Sequence, residues 1–130
     1  MAKPQPITAQ QVHSIVEHVF AEPLHAKQVE SLSNAALGVI HSAALNIHAI
    51  GAGMAGSRGV QPRHAVKQVD RLLSNHKICI WTLFANWVPF IVGARKEIFA
   101  VMDWTDFDDD GQTTIALHML TSHGRATIRT

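Results

Sequence analysis

The 130 residues set eleven lysines and arginines against ten acids, and 47% of them are hydrophobic; this is the content of one ordinary globular domain or two very small ones and excludes a disordered tail. The net charge of +1 hides an asymmetry: residues 1–100 carry nine cations against five acids, a net of +4, and residues 101–130 carry five acids against two cations, a net of −3. Such opposition has two readings, a nucleic-acid-facing front with an acidic, metal-binding back, or chance in a short chain; the single cysteine excludes an intrachain disulfide.

Thr8 followed three residues later by Gln11 is capping-box spacing, and Val12, Ile15, Val16, Val19 and Phe20 recur at helical intervals, so a short amphipathic helix is expected first. Before it, Pro4 and Pro6 follow Lys3 where a secretory signal would need an apolar run, and no such signal is expected. After Pro23, the stripe Val29, Leu32, Ala36, Ile40, Ala43, Ile47 and Ile50 steps by three and four, predicting one longer helix. Its alanines would allow a neighbour close approach, and Gly51, Gly53, Gly56 and Gly59 are read as its end.

Pro62 is placed to open a third helix running to about Asn75, with Val66, Val69, Leu72 and Leu73 inward. Its other face is basic. Ile78 to Val88 reads as an apolar helix that ends or kinks at Pro89, too short for a bilayer, and Trp81 and Trp87 read as core. Within it Cys79 reads as a small hydrophobe, and a reducing, cytoplasmic setting without membrane association follows. From Glu97 the pattern becomes strand, turn, strand: Asp108-Asp109-Asp110-Gly111 separates Phe107 from the run Gln112 to Thr121.

Several site chemistries fail on spacing. Asp106, Asp108, Asp110 and Gly111 match the first half of a calcium loop, but the position of its bidentate Glu is Leu117, so a plain turn with solvated acids is preferred. The nine histidines offer no pair at helical zinc spacing and no Cys/His cluster, and no serine lies in a nucleophile elbow. Arg63, Lys67 and Arg71 recur every four residues and form one ridge, with Arg58 and Lys77 beside it. That ridge has two readings, a contact for successive phosphates or a solvated surface. Asp103 alternates on one strand face with Phe99, Val101 and Thr105; an acid among apolar neighbours on a half-buried strand is costly unless paired, metal-bound or solvated.

The segments SLSNAALGVIHSAALNIHAIG, RHAVKQVDRLLSN and VPFIVGARKEIFAVMDWTDFDDDGQTTIALHMLTSHGRAT together resemble the N-terminal portion of bacterial insertion-sequence transposases of the DDE class, over about residues 30–127. The most specific part is Asp-Trp-Thr on the first strand with His-Gly-Arg-Ala-Thr after the second. The resemblance implies an RNase H-like core in which Asp103 is the first of three metal-binding acids. It further implies two magnesium ions activating water and then a DNA 3′-hydroxyl for attack on phosphodiesters. The helical part would help bind transposon ends through Arg58, Arg63, Lys67, Arg71 and Lys77.

The sequence departs from the family's pattern after Thr127, where Ile128, Arg129 and Thr130 stand in place of a proline and the long remainder with the second Asp and the Glu. The expectation is therefore α+β: a helical DNA-binding domain over 1–92, then an incomplete RNase H-like domain over 93–130 containing its first β-hairpin. Functionally, the resemblance implies a truncated DDE transposase, inactive alone; the alternatives are a non-catalytic DNA-binding regulator of transposition or a decayed fragment. A lone hairpin is marginal, so Phe99, Val101 and Leu117 are expected either to pack on the helices or to stay open and drive association, a homo-oligomer included.

Overall fold

The computed structural model describes residues 5–107, 109, 111–120 and 126–129. Five helices precede three strands: α1 (Ala9–Phe20), α2 (Ala26–Ser42), α3 (Ile47–Arg58), α4 (Pro62–Leu73), α5 (Ile80–Val92), β1 (Ala100–Phe107), β2 (Gln112–Leu120) and β3 (Ala126–Arg129). The architecture is α+β. It divides into two compact units, Met1–Ile91 and Val92–Thr130.

In the first unit α1 begins as its spacing predicts. The Thr8 hydroxyl accepts from the Gln11 N–H at 3.2 Å, and the Gln11 Oε1 accepts from the Thr8 N–H at 2.8 Å, satisfying two of the donors a helix start leaves open. Val12, Val16 and Val19 are buried on its inner stripe. Val12 and Val16 join Leu24, Val29 and Leu37 in one core cluster, against which Phe20, Leu32, Ile78 and Leu83 pack.

The single long helix expected after Pro23 is two helices, α2 and α3, bent by 96°. Ala43 turns the chain with φ 51°, a left-handed conformation that disfavours a Cβ, and Asn46 restarts it by accepting from the Ala49 N–H at 2.8 Å. Asn is a strong N-cap, and this is the local signal the continuous apolar stripe obscured. Gly51 and Gly53 accordingly lie inside α3 and do not end it. They serve close approach: a Cβ at Gly51 would stand 2.9 Å from the Val66 backbone on α4, and one at Gly53 would collide with the Gly38 carbonyl on α2. Packed this tightly, α3 carries the second core cluster, in which Ile50, Met54 and Ala55 meet Ala35, Ala65 and Val69.

Pro62 occupies the first turn of α4 as expected. Val69 is buried and Val66 and Leu72 are half-buried, but Leu73, expected inward, is exposed. The apolar helix α5 does not stop at Pro89; it continues to Val92. Proline removes the hydrogen bond to the Ala85 carbonyl and crowds it, and the helix runs through that defect; one turn earlier the Asn86 side-chain amide donates to the Thr82 carbonyl at 3.0 Å. No residue of α5 is fully buried. Trp81, expected in the core, is 80% exposed, and Cys79, expected to act as a packed hydrophobe, is exposed and free. No single helix among the described residues is long and apolar enough to cross a membrane.

The second unit is a three-stranded antiparallel sheet in the order β1-β2-β3. Ala100 pairs with Met119, Asp103 with Ala116 and Phe107 with Gln112, and β3 adds Ala126 to Arg129 along Leu120 to Leu117. The expected hairpin is present, and the third strand goes beyond it. Gly111 takes φ 60°, which a glycine adopts without strain and which closes the turn after β1. Asp108 and Asp110, on which the calcium-loop match depended, lie outside the described residues, as do Thr121 and His123 to Arg125. Met119 is buried, while Phe99, Val101 and Leu117 are exposed.

Candidate functional site

The cationic ridge is built by helix phase. Ala65 and Val69 are the buried residues of α4, and steps of four from Arg63 place Arg63, Lys67 and Arg71 on the opposite side, where all three are exposed. Among the described residues none of the three forms an ion pair. Arg58 is the last residue of α3, before the turn at Gly59. Lys77 follows α4 in a turn held by its own N–H donating to the Asn75 Oδ1 at 3.0 Å. Both are exposed. The five cations therefore stand at the surface of one helical unit; three are collinear, and two flank the ends of α4.

Asp103 lies near the middle of β1 and is exposed. The desolvation that makes it conspicuous in the sequence does not arise, because the strand holding it is open to water and not half-buried. Period-two alternation puts Val101, Asp103 and Thr105 on one face, and the register adds Thr114, Ala116 and His118 to that face. His118 pairs with Val101, one step along from Asp103, and its Nδ1 is buried with no hydrogen-bond partner among the described residues. Leaving a buried polar atom unsatisfied costs on the order of 1–3 kcal/mol, so this nitrogen marks a place where a further polar group would be favoured. In the sequence it is one of nine histidines with nothing to single it out; only the hairpin register shows that it shares the face of Asp103.

The opposite face has its own polar centre. Asp106 Oδ1 accepts from the Trp104 indole N–H at 2.7 Å and from the Thr113 hydroxyl at 2.8 Å. Asp106 and Thr113 are cross-strand partners, so the carboxylate locks the register and fixes the indole along the strand. The Trp104 N–H, then the Thr113 hydroxyl, hold the Asp106 carboxyl below the usual carboxylate range. Asp106 is thus a structural acceptor.

Magnesium favours carboxylate and water oxygens in near-octahedral geometry and is commonly held by more than one acid. Asp103 supplies one carboxylate, and among the described residues no three His, Cys, Asp or Glu side chains converge. The residues described do not fit a two-metal centre by themselves. At the start of α5, the exposed Cys79 thiol is held below its ordinary pKa by hydrogen bonding to the Thr82 hydroxyl and then to the Thr82 N–H. In comparisons with known protein families, curated proteins and solved structures, nothing matches this chain.

Proposed function

We propose that the chain is the N-terminal portion of a DDE-class DNA transposase: a helical DNA-binding unit followed by the opening strands of an RNase H-like core, with Asp103 as the first metal-binding acid. The support is the order of features along the chain, and one observation carries most of it. A carboxylate is held open on a paired strand directly after a helical unit whose exposed ridge is cationic. A rigid strand suits an acid whose role is to fix coordination geometry. The ridge suits the backbone of a duplex, where neutralised phosphates release counterions.

In this reading Arg63, Lys67 and Arg71 contact phosphates and set register on DNA, with Arg58 and Lys77 extending the contact. Asp103 would share magnesium with acids supplied from outside these 130 residues; magnesium there would stabilise charge on the attacking and leaving oxygens. One carboxylate cannot hold two metals, so this chain alone binds DNA and does not cut it. A non-catalytic regulator would use the same ridge, and the state of Asp103 separates the two.

Titration of a 30-base-pair duplex at several salt concentrations tests the reading. Affinity should fall steeply with salt, and Arg63→Ala, Lys67→Ala and Arg71→Ala should each lower the salt slope by about one unit, as loss of one phosphate contact does. Asp103→Asn should leave binding unchanged and remove any magnesium-dependent nicking that appears when the remaining acids are supplied in trans. Affinity indifferent to salt and to all three substitutions would sink the DNA-binding part; nicking unaffected by Asp103→Asn would sink the catalytic part.

A further inference from the structure

The unexplained feature of the helical unit is α5, with the sequence IWTLFANWVPFIV. It carries no charge, none of its residues is fully buried, and it borders an open groove of about 450 Å³. The groove is walled by Ile15 and Val16 from α1, Leu32 and Ala36 from α2, and Ile80 and Phe84 from α5. Trp81 stands at its rim, its ring 6.0 Å from that of Phe84. At the other end Phe90 lies 5.6 Å from Trp87, which also lines the groove. A projecting aromatic knob thus adjoins an apolar hollow through Phe84, which touches both.

We propose that this surface is an isologous interface between two copies of the chain, in which Trp81 of each copy enters the α1/α2/α5 groove of the other. A two-fold contact needs a patch complementary to itself, and a knob adjoining a hollow meets that requirement. Charge permits it: a helix without charged residues meets its own copy without like-charge repulsion, whereas it gives no purchase to an acidic or basic partner. Area supports it as well. With aromatic side chains of about 150–250 Å², Trp81 and the partly exposed Phe90, Ile80, Ile15, Ile40 and Val88 offer on the order of 600 Å² of apolar surface. That is at or above the largest patches usual on monomers and approaches the roughly 800 Å² per partner of a specific interface. The hollow takes the knob, and the flanking apolar side chains exclude water around it, as hot-spot residues require.

The interface is independent of the transposase reading, because it involves neither the cationic ridge nor Asp103. Sedimentation of the full chain across a concentration series tests it. The wild type should pass from monomer to dimer. Trp81→Glu, at a position already 80% exposed, and Ile15→Glu, in the groove wall, should each weaken association by about 30-fold or more, as loss of a hot spot does. An equimolar mixture of the two variants should recover part of the association, since the intact knob of one fits the intact groove of the other. Leu45→Glu, at an exposed apolar position between α2 and α3, should change nothing. Far-ultraviolet circular dichroism of each variant at the wild-type level shows that folding is retained. A wild type that stays monomeric, a dimer that survives Trp81→Glu, or one that is dissociated by Trp104→Glu in the sheet overturns the proposal.

Discussion

The two units solve the problem of burying apolar surface to different extents. The helical unit closes two clusters around Met54 and Val69 on one side and Val16, Val29 and Leu37 on the other. In the sheet Met119 is buried, yet Met102 and Trp104 are 67% and 60% exposed and Ile115 and Leu117 are also open. Backbone pairing alone makes the sheet regular, because its ladder satisfies its own hydrogen bonds. It does not make it stable, because stabilisation scales with apolar area withdrawn from water. Strand pairing and core formation are separable, and this chain has both in one unit and chiefly pairing in the other.

The strongest way to break that comparison is to force the tightest helix contact. Gly51→Leu would place a Cβ 2.9 Å from the Val66 backbone, which a flexible side chain could relieve but a main chain cannot. Overpacking costs typically about 1–3 kcal/mol and more where backbone must move. Urea denaturation followed by helical circular dichroism should show at least that loss. A variant as stable as the wild type would mean that α3 and α4 do not pack as described.

A direct contrast between the units is the pair Met54→Ala and Met119→Ala, the same deletion in each. Met54 is fully enclosed in the helical core, so its truncation should cost about 2–5 kcal/mol. Met119 is buried among neighbours that are themselves half open, and its truncation should cost less than half as much. Equal costs, measured in the same urea titrations, would show that the sheet is packed as well as the helices.

Much of the helical unit is legible in the sequence because its signals are local. The Thr8–Gln11 box and Pro62 start helices where expected, and the four-residue spacing of Arg63, Lys67 and Arg71 is enough to align them on one side of α4. The break between α2 and α3 is not legible from periodicity, since Ala36, Ile40, Ala43, Ile47 and Ile50 stay in helical phase across it; only Asn46 signals a new cap. Gly51 and Gly53 look like part of a helix end for a related reason, their packing role being set by α4 and α2 and not by α3's own sequence, whereas Gly59 does end α3. Trp81 and Cys79 defy expectation because hydrophobic composition predicts burial on average, while α5 has no residue fully covered. At the strand, alternation assigns the face of Asp103, but its exposure and its shared face with His118 depend on register and on what lies above the sheet.

The smallest expected effect sharpens what holds the sheet in register. Asp106 is the cross-strand partner of Thr113 and accepts from both Thr113 and Trp104, and these bonds hold its folded-state pKa below the unfolded value. The folded state therefore binds fewer protons than the unfolded chain as pH falls through the unfolded carboxyl's range. The stabilisation is complete above the ordinary aspartate pKa and is lost as pH drops through the lowered folded value. Because Asp106 is exposed, solvent screens the interaction and the effect should be slight. Trp104 reports it directly: its fluorescence should titrate in the acid range with a midpoint below that of an ordinary aspartate, and Thr113→Val should move the midpoint upward. Asp106→Asn should abolish the titration while leaving helical circular dichroism unchanged. An unaltered midpoint in Thr113→Val would mean that the indole alone holds the carboxylate, and that the β1–β2 register rests on the backbone ladder without help from this pair.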